Sequence, residues 1–164
     1  MHEELQQLAL AVGQALTARG WLLGSAESCT GGLLASVLTD APGASAWFAG
    51  GVVAYANSVK RDVLGASQAV PEGKGAVSRE AVLAMARGAR GVLGSEVSVA
   101  ISGIAGPSGG TPQKPVGTVW MAWEGPELSE VKRFLFAGDR LEVKNLAVRE
   151  AMAGVLALVG RCGG

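Results

Sequence analysis

The sequence predicts an α/β domain of three layers, in which helices cover both faces of a mixed, mostly parallel sheet. Two observations lead to this prediction. Short apolar runs typical of buried strands alternate with longer segments whose apolar residues recur at helical spacing. Two strand-like runs near the C-terminus are joined by a Gly-Pro turn, which favours a β-hairpin, and a long helix-like segment follows them.

The first half of the chain contains three helix-like segments and two strand-like ones. Leucine and valine recur at helical spacing from Leu5 to Leu16 and the pattern stops at Gly20, so a first helix is predicted to end there. The other predicted elements are a strand over Trp21–Ala26, a helix from Gly31 to about Asp40, a strand over Gly50–Tyr55, and a short helix that Asn57 or Ser58 caps and that runs through Lys60 to Leu64.

The second half begins with a helix and continues into the predicted hairpin. Ser78 is the expected N-cap of a helix over Arg79–Leu93, because a serine hydroxyl accepts a hydrogen bond from an amide of the first turn. The remaining predicted elements are a strand over Val97–Ile101, a loop over Gly103–Pro115, strands over Val116–Trp123 and Val131–Phe136, and a helix from Asp139 to about Leu158.

Composition limits the classes of protein and partner. The 164 residues are 49% hydrophobic and 17% charged, which fits a single compact domain over residues 1–164. Fourteen basic and fourteen acidic residues give a formal net charge of zero, and like charges are not clustered. The sequence therefore predicts neither nucleic-acid binding nor attraction to an anionic membrane.

The remaining composition signals concern location, thiols and assembly. The N-terminus lacks the basic start and apolar run of a signal peptide, and no apolar stretch reaches transmembrane length, so we expect a cytoplasmic protein. Cys29 and Cys162 have no metal-ligand spacing, which favours free thiols and predicts no metal site. Four tryptophans suit a subunit interface as well as a core, and we expect a homo-oligomer, most simply a dimer.

Histidine chemistry is not expected in this chain. The single histidine, His2, lies in a terminus that is expected to fray. Ser-His-Asp and Cys-His catalysis then have no credible base, and histidine-dependent metal sites have no ligand. A hydrolase with this sequence needs another proton acceptor.

The segment Ala26–Gly32 is the strongest local indication of chemistry. It lies between a predicted strand and a predicted helix, and it places the Ser28 hydroxyl where free N–H groups suit a phosphate or a developing oxyanion. Taken alone, the same residues favour an ordinary helix N-cap over a catalytic turn. The case for chemistry at Ser28 therefore depends on the other segments of the chain.

A second candidate segment is Tyr55–Lys60, which follows a predicted strand. A lysine can replace histidine as general base, provided that burial or nearby positive potential lowers its pKa by several units. Tyr55 and Lys60 would both reach the crevice at the carboxyl ends of the strands, where Ser28 also lies. The alternative is a solvated surface lysine and a core tyrosine with a wet hydroxyl.

A third candidate is the glycine-rich stretch Ser102–Pro115, which follows a strand directly. Backbone amides there, unscreened by side chains, can hold a phosphate. The stretch matches neither a Walker loop nor a dinucleotide fingerprint. A long connection held by its prolines is an equal alternative.

Together these segments resemble the C-terminal amidase domain of the competence/damage-inducible CinA family, the nicotinamide-nucleotide amidases. Many members of that family carry a further N-terminal domain, so the chain resembles the stand-alone form. The resemblance covers nearly the whole chain. The matching stretches, in family order, are Ala26–Gly32, Ser45–Phe48, Tyr55–Lys60, Gly75–Ser78, Ser102–Pro107, Lys114–Val119 and Gly138–Arg140.

The resemblance implies an amidohydrolase that converts nicotinamide mononucleotide to nicotinic acid mononucleotide and ammonia, a step of pyridine nucleotide salvage. It implies Ser28 as nucleophile, Lys60 as base and Tyr55 as an aid to proton transfer or lysine positioning. No metal or redox cofactor is needed, and the expected partner is a small pyridine nucleotide. The implied substrate-binding positions are Thr30, Gly31 and Gly32, whose segment is the expected oxyanion hole, together with Ser45, Gly103, Ala105, Gly106 and Arg140, the last of which would contact phosphate or carboxamide.

One departure and two alternatives remain. Lys74 stands where many relatives have a histidine, so any contact made by that histidine is not carried over to this chain. A Cys29 thiolate at the helix N-terminus is a rival nucleophile to Ser28. A non-catalytic nucleotide-binding module linked to competence or DNA damage is the rival function, because fold does not determine function.

Overall fold

The computed structural model describes residues 1–66 and 70–163, so residues 67–69 and 164 of the predicted single domain lie outside the described part. Its strands and helices follow the predicted order. The helices are α1 (His2–Arg19), α2 (Leu33–Thr39), α3 (Asn57–Asp62), α4 (Arg79–Leu93) and α5 (Arg140–Arg161), with a 3-10 turn over Ala44–Ala46. The strands are β1 (Leu23–Glu27), β2 (Phe48–Val53), β3 (Val97–Gly103), β4 (Thr118–Glu124) and β5 (Ser129–Leu135).

The five strands form one sheet in the order β2-β1-β3-β4-β5. β1 pairs in parallel with both β2 and β3, whereas β4 pairs antiparallel with β3 and with β5. Among these five strands, β4 therefore runs opposite to the other four. The mixed, mostly parallel sheet with its hairpin of β4 and β5 is confirmed.

The two faces of the sheet pack against different helices. One face joins α1, α2 and α5 in a core of large side chains, among them Leu23, Ile101 and Trp123. The other face presents small residues such as Ala26 and Ala100 to α4 and to Leu64, which follows α3. Side chains alternate between the faces of a strand, which accounts for this division and for the three layers.

Local signals determine several helix ends. Gly20 adopts the left-handed conformation that ends α1. Ser78 accepts a hydrogen bond from the Ala81 amide at 3.1 Å, so the predicted cap of α4 is confirmed. The predicted cap of α3 is wrong: Asn57 lies inside the helix and Ala56, which makes no side-chain hydrogen bond, is the cap residue.

The tryptophans divide between core and partly exposed positions. Trp123 is buried and donates a hydrogen bond to the Ala151 carbonyl of α5 at 2.9 Å. Trp47 is also buried, against Gly13 of α1. These two rings belong to the core, and the expected homo-oligomer stays a prediction. Within the described residues, no helix combines the length and the apolar character that a membrane crossing requires.

Candidate active site

A cleft of about 310 Å³ opens at the carboxyl edge of the sheet. Parallel strands deliver residues there, since Ser28 follows β1 directly, Tyr55 lies just beyond β2 and Gly103 ends β3. Arg140 reaches the same cleft from the first turn of α5. The lining residues are Ser28, Cys29, Tyr55, Gly103, Ile104, Ala105, Gly106, Ser108, Gly109 and Arg140.

The turn that holds Ser28 is anchored on both sides. The Ser28 amide donates a hydrogen bond to the Ile101 carbonyl of β3 at 2.9 Å, and the Ser28 carbonyl accepts one from Gly31 at 3.1 Å. Ser28 itself is half-buried at the cleft wall. The hydroxyl thus sits on a backbone that cannot shift without breaking contacts to a central strand.

Glu27, directly before Ser28, is a buried acid that the sequence analysis missed. Its carboxylate accepts hydrogen bonds from the Thr30 hydroxyl at 2.7 Å and from the amides of Leu34 and Ala35 at 2.8 and 3.1 Å. The carboxylate therefore caps α2 from inside, where the helix dipole favours negative charge. The sequence did contain a signal for this cap: an acidic residue ends an apolar strand just before a predicted helix.

This internal cap changes what the predicted oxyanion segment offers. The Thr30 side chain is fully buried on Glu27, and the Gly31 amide is bonded to the Ser28 carbonyl. Among the described residues, no protein acceptor faces the amides of Thr30 and Gly32. Gly31 and Gly32 both have positive φ, a conformation that suits glycine.

Arg140 connects two walls of the cleft. One guanidinium nitrogen donates to the Gly106 carbonyl at 2.6 Å, and another donates to the Tyr55 hydroxyl at 3.1 Å. The planar guanidinium suits such divergent contacts. Since the Tyr55 oxygen accepts from Arg140, its own proton is free to be donated elsewhere. The side chain of Tyr55 is 62% exposed, so the ring remains open to a ligand.

Lys60 is buried beside the cleft rather than in it. Only 5% of its surface is exposed, and its ammonium donates to the Tyr55 carbonyl at 3.0 Å. Desolvation by this burial lowers the pKa of Lys60, whereas the Cys29 thiol acts in the opposite direction only when it is ionised. Within the described residues Lys60 lines a separate cavity of about 190 Å³ and makes no hydrogen bond to Ser28.

Cys29 is an unfavourable nucleophile. Burial raises the pKa of its thiol to about 11, and the carboxylate of Glu27 contributes to the increase. The thiol's contact with its own backbone amide and the positive charges of Lys144 and Arg140 lower the pKa but do not offset burial. A protonated thiol is a weak nucleophile at neutral pH.

Two other predicted positions lie away from the cleft. Ser45 is exposed in the 3-10 turn before β2. It lies at the amino ends of the parallel strands, whereas Ser28 lies at their carboxyl ends. Lys74 is also exposed, and its carbonyl accepts a hydrogen bond from the Lys114 ammonium at 2.9 Å. This contact joins the segment before α4 to the glycine-rich loop.

Comparisons with known proteins agree with the predicted resemblance. The family model described as CinA C-terminal domain matches residues 5–159. The nicotinamide-nucleotide amidohydrolase PncC of Escherichia coli K12 is 46% identical over 150 residues, which make up 91% of this chain and 91% of that protein. A CinA-like protein of Geotalea uraniireducens is 45% identical over 150 residues.

Relatives differ in how much of their length is matched. The match spans 92% of this chain but 36% of the Geotalea protein, so the chain covers about a third of such longer relatives. The crystal structure of competence damage-inducible protein A from Klebsiella pneumoniae is 40% identical and superposes with a TM-score of 0.90, covering 96% of this chain and 98% of that one. With the family model and these relatives matching most of its residues, the chain belongs to the CinA C-terminal domain family.

Proposed function

We propose that this protein hydrolyses the carboxamide of nicotinamide mononucleotide, giving nicotinic acid mononucleotide and ammonia. The main support is its 46% identity, over 91% of both chains, to a protein named nicotinamide-nucleotide amidohydrolase. The cleft supplies chemistry of the right kind, because a serine hydroxyl, a tyrosine hydroxyl and an arginine meet there. A pyridine nucleotide in this cleft brings its carboxamide to Ser28.

Ser28 acts as the nucleophile in this proposal. Its oxygen attacks the carboxamide carbon, its proton passes to a base, and the carbonyl electrons move onto oxygen to form a tetrahedral intermediate. The amides of Thr30 and Gly32, which have no protein acceptor among the described residues, are the candidates for stabilising that oxyanion. Collapse of the intermediate expels ammonia and leaves an ester on Ser28.

Lys60 acts as the base, assisted by Tyr55. The lowered pKa of the buried ammonium makes a neutral amine easier to form. To accept the Ser28 proton, the Lys60 amine gives up its hydrogen bond to the Tyr55 carbonyl. It then takes the proton from the Ser28 hydroxyl directly, or through the Tyr55 hydroxyl as an intermediate. The captured proton then goes to the leaving nitrogen. Lys60 next takes a proton from the water that attacks the ester and returns it to the Ser28 oxygen as the C–O bond to Ser28 breaks and the acid product leaves.

Ammonia release from nicotinamide mononucleotide by the full chain tests this proposal. Ser28→Ala should lower kcat by about a thousandfold or more, because the covalent route is lost. Lys60→Met should lower kcat by a similar factor, because removing one member of a catalytic unit costs about as much as removing the whole unit. Ser129→Ala and Lys132→Met, at exposed positions of β5, are the matched controls and should retain the parent rate.

Two results would contradict the proposal. Full activity in Ser28→Ala would exclude the serine mechanism. Tight binding of the nucleotide by the parent without any ammonia release would instead favour the non-catalytic nucleotide-binding module.

A further inference from the structure

Lys144 lies beside the candidate active site but has no role in the chemistry above. It follows Arg140 by one helical turn on α5, so the two side chains share a helix face. Its ammonium nitrogen is 3.8 Å from the point that a Cβ on Gly31 would occupy. Lys144 therefore faces the turn that carries Ser28, next to the cleft but not among the residues that line it.

The charge of Lys144 is not balanced by nearby acids. Within residues 1–66 and 70–163, no carboxylate forms an ion pair with either Lys144 or Arg140. The closest acids in sequence, Asp139 and Glu142, bind each other's backbone amides in the capping box of α5. The buried Glu27 is engaged by α2 and Thr30.

Two cations one turn apart repel each other, and such pairs are destabilising in a helix. An anionic ligand between them would remove that repulsion. Arg140 already directs two donors at Gly106 and Tyr55, whereas the Lys144 ammonium makes no hydrogen bond to protein within the described residues. Lys144 is therefore the cation with the greater capacity to take up a new anion.

We propose that Lys144 binds the phosphate of the nucleotide substrate and so determines the preference for a nucleotide over the uncharged riboside. This inference rests on the proposed function, because it assumes that the carboxamide lies at Ser28. With the carboxamide there, the ribose spans the cleft and its phosphate meets α5. In this proposal Arg140 holds the cleft walls through Gly106 and Tyr55, and the Lys144 ammonium binds the phosphate.

The test compares nicotinamide mononucleotide with nicotinamide riboside, which lacks only the phosphate. In Lys144→Met the ratio of kcat/KM for the nucleotide over that for the riboside should fall about tenfold to a hundredfold, as expected for one charge-assisted hydrogen bond. The change should lie mainly in KM. Lys144→Arg should restore most of the ratio, and Lys132→Met is the matched control that should leave it unchanged.

An unchanged ratio in Lys144→Met would overturn the inference, and so would an equal loss on both substrates. Lys144→Gln provides a second neutral variant should the methionine variant fold poorly. A binding measurement separates this inference from the amidase proposal. Calorimetry with nicotinic acid mononucleotide and its riboside should give the same loss of phosphate preference even where the parent releases no ammonia; equal preference in parent and variant would refute the role of Lys144.

Discussion

The Arg140 guanidinium donates a hydrogen bond to the Tyr55 hydroxyl at 3.1 Å, across a separation of 85 residues. The same guanidinium holds the Gly106 carbonyl, so α5, the end of β2 and the glycine-rich loop meet at one side chain. The Lys60 ammonium donates a hydrogen bond to the backbone carbonyl of Tyr55. Tyr55 thus links the buried lysine to the wall of the cleft.

The contact between Arg140 and Tyr55 predicts energetic coupling. Arg140→Lys removes the forked donor and Tyr55→Phe removes the acceptor, so each variant should lower kcat/KM. Because both remove the same hydrogen bond, their combined effect should fall short of additivity by about 0.5–1.5 kcal/mol. Steady-state kinetics of the two single variants and the double variant give this value. Strict additivity would mean that the contact has no part in catalysis.

The environment of Lys60 predicts the pH dependence of activity. A base must be neutral to act, and desolvation by burial lowers the pKa of Lys60, so the neutral amine forms at lower pH than in an exposed lysine. The kcat/KM should rise with pH and level off below the ordinary lysine pKa of about 10.4. A profile between about pH 6 and pH 10 measures this limb. A profile that falls with pH would exclude Lys60 as the base.

The raised pKa of Cys29 predicts that its thiol is dispensable and slow to react. Cys29→Ala should retain most of the amidase activity, in contrast to Ser28→Ala, since the thiol of Cys29 stays protonated at neutral pH. Native protein should also be alkylated by iodoacetamide much more slowly than protein unfolded in urea. Loss of activity in Cys29→Ala equal to that in Ser28→Ala would revive the thiol mechanism.

The hydrogen bonds of Glu27 to α2 predict that this carboxylate stabilises the fold. Glu27→Ala removes three hydrogen bonds and leaves the amides of Leu34 and Ala35 without an acceptor. The free energy of unfolding should fall by about 2–3 kcal/mol, measured by urea titration. Glu127→Ala, at an exposed turn, is the control and should change it little. An equally small change in Glu27→Ala would show that water replaces the carboxylate.

Packing of α5 on the sheet predicts opposite effects at two glycines of the same helix. A Cβ at Gly154 would overlap the Trp123 ring, whereas one at Gly160 would meet no atom within 4 Å. Gly154→Ala should therefore destabilise the protein by about 1–3 kcal/mol through overpacking. Gly160→Ala should stabilise it by about 0.5–1 kcal/mol, because alanine favours the helix. Thermal unfolding of the two variants measures both, and equal shifts would contradict the packing argument.

Most of the fold was predictable because its signals are local. The cap at Ser78, the left-handed turn at Gly20 and the alternating strand patterns are determined by neighbouring residues. Strand ends were less accurate: β1 continues to Glu27 rather than ending at Ala26, and β2 begins at Phe48 rather than Gly50. Pairing with neighbouring strands, which a single strand's sequence does not record, determines where a strand ends.

The sequence by itself determined the fold class and the motifs that contain Ser28, Tyr55 and Arg140. Only the tertiary structure decided how those motifs meet. It brings Arg140 onto Tyr55, buries Lys60 against a backbone carbonyl and turns Glu27 inward to cap α2. These relations depend on contacts between segments far apart in the chain, and burial, which changes the pKa of Lys60 and Cys29, exists only after those segments have packed.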